Sequence, residues 1–170
     1  WREGKKNISA ASAACNANGM LIGYSSPTIT AGERTDDSSF EEQLRSIVEG
    51  VSHYYRKNNQ NIPKRYGLIR DGIFYENQSI ISLIEEEYDI EFIVCDIQKR
   101  GSPKFAYRDW TSTKGGNILF QGKRGYVQST QQRIGYNVGS PNFIKVGLKK
   151  GDIPMEDLLK FFFFMIMFHA

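Results

Sequence analysis

A chain of 170 residues that is 40% hydrophobic and 24% charged is sized for one self-sufficient core, which excludes the disulfide-built or metal-built miniature domains. Its two cysteines, Cys15 and Cys95, stand in apolar stretches without a close cysteine or histidine, so neither zinc-ligand spacing nor a disulfide framework is present and a reducing, cytoplasmic compartment is expected. The net charge of +3 is unevenly spread, because residues 98–150 carry 11 Lys and Arg against one acid, a block of +10 that predicts a polyanion-binding face.

The opening Trp1-Arg2-Glu3-Gly4-Lys5-Lys6 is polar and lacks the apolar core of a secretory signal. Residues 7–17 and 19–29 read as two short strands around Asn16-Ala17-Asn18-Gly19, where Asn-Gly is a hairpin signal. A polar loop follows in Ala31-Gly32-Glu33-Arg34-Thr35-Asp36-Asp37, whose three acids suit either a cation or the N-terminus of the next helix. Ser38 and Ser39 precede Glu41 and Glu42 by three residues each, two overlapping capping boxes that predict a helix start. Phe40, Leu44, Ile47, Val48, Val51 and Tyr54 or Tyr55 then recur at helical spacing to about Lys57, the stripe of a helix that covers a sheet. His53 lies beside that stripe and reads as a packing or surface residue.

After the polar break at 58–63, Tyr66-Gly67-Leu68-Ile69-Arg70-Asp71-Gly72 is an apolar run that ends in a carboxylate. A buried strand delivers a charged group to the rim of a sheet in this way, and Gly72 permits a sharp turn directly after it. Asp71 is therefore the first candidate for chemistry, although an Asp-Gly pair is also an ordinary turn. Residues 76–88 read as a second helix with Ile80, Ile81, Ile84 and Tyr88 on its apolar side and Glu85, Glu86 and Glu87 as solvated charge. Residues 90–97 are so continuously apolar that both faces of that strand should be covered, and strand, helix, strand is the crossover unit of an α/β fold.

From Gln98 the character changes. Lys99, Arg100, Lys104 and Arg108 interleave with Phe105, Tyr107 and Trp110, and strands are predicted at 117–121, 125–129 and 142–148. Basic and aromatic side chains on strands can hold phosphates and stack on bases, while Phe105 and Phe120 are expected in the core. Pro154 opens a last helix over 155–169, with Phe161 to Phe164 apolar nearly all round and burial expected on several sides. The apolar run Leu158 to Phe168 is about half the roughly 20 residues needed to span a bilayer and contains Lys160, so it predicts a core helix and no membrane.

The order of these elements and the residues they carry resemble the PIWI domain of Argonaute proteins in a prokaryotic form. Leu68-Ile69-Arg70-Asp71-Gly72 with Gln78 behind it is similar to the family's Arg-Asp-Gly strand. Ile93-Val94-Cys95-Asp96-Ile97-Gln98-Lys99-Arg100, with Phe105 and Arg108, looks like the family's next strand, and Val138-Gly139-Ser140-Pro141-Asn142-Phe143-Ile144-Lys145-Val146 is similar to the segment that leads into a basic strand. The resemblance implies a ribonuclease H-like α/β fold, a central mixed sheet flanked by helices, spanning residues 1–170 and incomplete at both ends. It implies guide-directed cleavage of a nucleic acid target by carboxylates that hold two Mg²⁺ or Mn²⁺ ions. Asp71 matches the second aspartate of that set and Glu33 the mobile glutamate, with Asp36 and Asp37 as fallback candidates. The family's first aspartate would precede Trp1 and its last ligand would follow Ala170, and His169 comes too early for that role.

Lys99, Arg100, Lys104, Arg108, Arg133 and Lys145 are the candidates to hold the guide and target backbones, and the MID and other domains of the same protein are the implied partners. Two further readings stay open: a module that binds guide and target without cutting and acts through a partner effector, and a ribonuclease H-like nuclease that needs no guide.

Overall fold

The computed structural model describes residues 2–3, 6–8, 13–16, 21–24, 29–30, 37–98, 118–128 and 143–168. In chain order these form β1 (Arg2–Glu3), β2 (Lys6–Ile8), β3 (Ala13–Cys15), β4 (Leu21–Tyr24), β5 (Ile29–Thr30), α1 (Asp37–Lys57), β6 (Arg65–Asp71), α2 (Gln78–Tyr88), β7 (Glu91–Gln98), β8 (Ile118–Gln121), β9 (Arg124–Gln128), β10 (Phe143–Lys150) and α3 (Met155–Phe168). The chain divides into two compact units, Trp1–Tyr66 with Tyr75–Glu91 and Gly67–Phe74 with Phe92–Ala170.

In the first unit β3 and β4 pair antiparallel, with Ala13 opposite Tyr24, as the hairpin signal predicts. The turn residues 17–20 lie outside the described residues. A second small sheet has the order β1-β2-β5. Leu44, Val48 and Val51 are the buried residues of α1, at the helical spacing expected of its stripe. His53 is exposed, so its surface reading is the correct one.

Both helix starts differ from the expected ones. Asp37 is already the first residue of α1, which places Ser38 and Ser39 inside the first turn rather than at a capping position. The start of α2 moves from residue 76 to Gln78, because the Asn77 side chain accepts from the Ser79 amide and caps the helix there. Asp89 closes α2 in the left-handed region, at φ 51° and ψ 53°, and its amide donates to the Glu85 carbonyl. Glu87 is not merely solvated: it pairs with Arg45, which also bridges to Glu41 at 2.9 Å and so ties α1 to α2. These two carboxylates raise the pKa of the Arg45 guanidinium above its ordinary value.

The second unit is built on a five-stranded sheet of order β6-β7-β10-β9-β8. Phe92 to Asp96 are all buried, so β7 is covered on both faces as its unbroken apolar run predicts. β6 corrects the expectation of a buried strand: its residues alternate between exposed and half-buried, and Ile69 is 40% exposed, since among the described residues this strand stands at one end of the sheet order.

α3 packs against the face formed by Cys95, Val127 and Val146 through Met155, Leu158, Leu159 and Phe162. Gly125 makes that approach possible, since a Cβ there would come within 2.4 Å of the buried Leu159 Cδ1. Within α3, Phe161 is 44% exposed while Phe162 is buried against the sheet.

Candidate active site and basic sheet face

Asp71 is the last residue of β6 and is exposed. Gly72 follows at φ +101°, a conformation that an L side chain rarely adopts, and it forms a β-bridge with Ile97 where a sharp turn was expected. The Gly72 amide donates to the Ile97 carbonyl at 2.8 Å, which fastens this residue to β7.

A second tie comes from Asp96, which is 1% exposed and was part of a strand motif without a role of its own. Asp96 Oδ2 accepts from the Phe74 amide at 3.2 Å and meets Lys149 Nζ at 3.1 Å. On the other side of the carboxylate, a Cβ at Gly147 would stand 2.5 Å from Asp96 Oδ1. The register of β10 against β7 slips between Leu148 and Lys150, so Lys149 sits in a bulge, a device that re-aims a side chain. Sequence reading passed over Asp96 because an apolar strand context makes a single acid look incidental. The available signal was the acid itself, at a position where an unpaired charge is costly.

Strand alternation sorts the basic residues. Val146 and Leu148 of β10 lie against α3, so Lys145 and Gly147 belong to the opposite face. Lys145 stands opposite Gln98 on β7 and Tyr126 on β9, and Gly147 opposite Arg124, which places Arg124, Tyr126 and Lys145 on one face of the sheet. Arg124 is exposed and Lys145 half-buried. Arg124 was not singled out from the sequence, although the period of two in Arg124 and Tyr126 carries the signal.

Of the other predicted site residues, Glu33, Asp36, Lys99, Arg100, Lys104, Arg108 and Arg133 lie outside the described residues, as do Phe105 and His169. Asp37 is exposed in the first turn of α1, where its Oδ2 accepts from Asn77 Nδ2 at 3.1 Å. Among the described residues no group of three or more His, Cys, Asp or Glu is placed to hold a metal ion. Asp71 by itself is a hard oxygen donor suited in kind to Mg²⁺ or Mn²⁺, and it needs further ligands to make a site. No helix among the described residues is long and apolar enough to cross a membrane.

No protein-family model and no curated protein matches the chain. Solved structures do. Clostridium butyricum Argonaute, bound to a guide DNA and a 19-mer target DNA, is 19% identical with a TM-score of 0.70, covering 92% of this chain and 22% of that one. A. aeolicus Argonaute is 19% identical with a TM-score of 0.64 over the same shares, 92% and 22%. Marinitoga piezophila Argonaute, in complex with a 5′ OH guide RNA and target DNA, is 14% identical with a TM-score of 0.61, covering 87% of this chain and 21% of that one. The chain thus spans about a fifth of the length of the Argonautes it resembles, 22% in the first case. The shared architecture is the ribonuclease H-like fold of Argonaute PIWI domains, as the sequence resemblance predicts.

Proposed function

We propose that this chain is the catalytic part of an Argonaute-type nuclease, which uses a guide strand to find a complementary target and cuts it. The observation that carries the reading is Asp71, an exposed carboxylate at the end of β6 with a positive-φ glycine directly behind it, in the fold of an Argonaute PIWI domain. Asp71 and Glu33 would hold Mg²⁺ or Mn²⁺. Bound there, the ions would supply water activation and neutralise charge on the departing oxygen.

The chain's own side chains account for binding and orientation. Lys145 and Arg124 on one sheet face, with Lys99, Arg100, Lys104, Arg108 and Arg133 from the same basic block, neutralise the phosphates of guide and target. Such contacts carry no sequence information, so the choice of target falls to base pairing with the guide. Tyr126, opposite Lys145 and two residues from Arg124 on that face, offers a ring for stacking. Two of the similar Argonautes were solved with guides of different chemistry, DNA in one and RNA in the other, so the fold is compatible with either. The MID and remaining domains of the same protein complete the assembly.

A second reading, binding without cutting, draws on one observation: among the described residues Asp71 has no cluster of further metal ligands around it. The two readings part on a single experiment with the intact protein, in which radiolabelled target is followed with and without guide in Mn²⁺. Guide-dependent cutting supports the nuclease. Guide-dependent retention of uncut target supports the binding module, and cutting that ignores the guide leaves only a ribonuclease H-like nuclease.

A further inference from the structure

The segment behind Asp71 is bonded to Asp96, a member of an ion pair that the packing of the core does not require. Asp96 is buried on a strand otherwise lined by Phe92, Ile93, Val94 and Cys95, where an apolar residue of similar volume would fill the same space. Asp96 is desolvated while Lys149 reaches it from an exposed position, and the cost of burying the carboxylate offsets much of their attraction, so the pair is weak evidence for stability. Its geometry is specific, however. One oxygen receives both the Phe74 amide, at 3.2 Å, and the Lys149 ammonium, at 3.1 Å, while the bulge at Lys149 and the absent side chain at Gly147 make room for the carboxylate.

We infer that Asp96, charged and held by Lys149, is a positioning residue: it clamps the segment 72–74 to β7 and so fixes where the Asp71 carboxylate points. The inference rests on the nuclease reading of Asp71, and it adds a device behind that residue. The backbone behind Asp71 is bonded to β7 by the Gly72 amide on the Ile97 carbonyl and by the Phe74 amide on Asp96, and the second of these bonds is made to a side chain. Because the acceptor is a charged group, its loss should be felt more than that of a neutral hydrogen bond.

The test uses the intact protein with Asp96→Asn and Asp96→Leu side by side. Asparagine keeps an acceptor for the Phe74 amide, whereas leucine keeps the volume alone, so a role in packing is separated from a role in positioning. Two quantities are read: hydrogen exchange at the Phe74 amide, and the Mn²⁺ concentration that half-saturates cleavage, with target affinity measured in parallel. The expected result for Asp96→Leu is exchange faster by roughly tenfold or more, the loss of one charge-assisted hydrogen bond, a half-saturation point raised to a similar degree, and target affinity within about twofold of wild type. Asp96→Asn should recover part of both effects, since it keeps the acceptor and loses the charge.

Leucine that matches wild type in exchange and in Mn²⁺ response overturns the inference, as does an Asn variant no better than the Leu variant. A wild-type protein that does not cut at all counts against the nuclease reading and not against the clamp, which is then decided by the exchange comparison and by direct Mn²⁺ binding followed by electron paramagnetic resonance.

Discussion

Cys95 and Asp96 are neighbours on β7 whose side chains point to opposite faces, and burial treats the two in different ways. Desolvation, and then the charge of Asp96 beside it, pushes the Cys95 thiol up to about 12. The folded protein therefore holds the thiol proton more tightly than the unfolded chain, whose thiol has the ordinary value of 9.0. This contributes stability that is fully present below about pH 9 and is lost as pH rises toward 12. Alkylation with iodoacetamide at pH 8.5 should label the exposed Cys15 and leave Cys95 unmodified until denaturant is added; equal labelling of both in the native state would contradict the buried placement. The burial of Cys95 was readable from its apolar strand. The roles around Asp96 were not, because they depend on Phe74 and Lys149, which are distant in sequence and meet only through the strand order and a bulge.

At the scale of elements, the close approach of α3 to β9 rests on Gly125. Gly125→Ala would drive a Cβ to within 2.6 Å of both Leu159 methyl carbons, and Leu159 is fully buried with little room to move. The expected cost is about 1–3 kcal/mol, read as a lower midpoint in urea, and Leu159→Val in the same chain should return part of it. An unchanged midpoint for the single variant would mean that α3 does not press on the sheet at this point. The elements themselves were largely legible, since the period of 3.6 marked all three helices and the apolar runs marked β6 to β10. Their ends were less so. Asn77 outcompeted Glu76 as the start of α2 through its own side-chain bond, and the burial of β6 was overestimated because an apolar composition does not tell an outer strand from an inner one.

For the whole molecule, the partition of charge is the property with the widest reach. Eleven basic residues against one acid in 98–150 give a field that attracts a phosphate backbone before any specific contact forms. Replacing Lys145 and Arg124 by glutamine should weaken guide and target binding by a similar factor for unrelated sequences. It should also flatten the dependence of log affinity on log salt concentration by about 0.9 for each duplex phosphate that the variant no longer neutralises. A slope that does not move would show that this sheet face is not where the backbone lies. The fold class and the basic block were legible in the sequence, and so was the place of Asp71 at the end of a strand. The placing of Arg124 and Lys145 on one face required the β9–β10 register, which no local pattern specifies.

The central claim is that Asp71 takes part in cutting, and one measurement addresses it most directly: the single-turnover rate of guide-directed target cleavage in saturating Mn²⁺ for wild type and Asp71→Ala, with target affinity determined on the same preparations. Asp71 is exposed, so its removal should leave folding and duplex binding nearly intact. The account predicts a fall in rate of roughly 10³-fold or more, as for a group that acts chiefly in the transition state, with affinity within about twofold. A variant that cuts at the wild-type rate, or one that loses binding and cutting in equal measure, would contradict it.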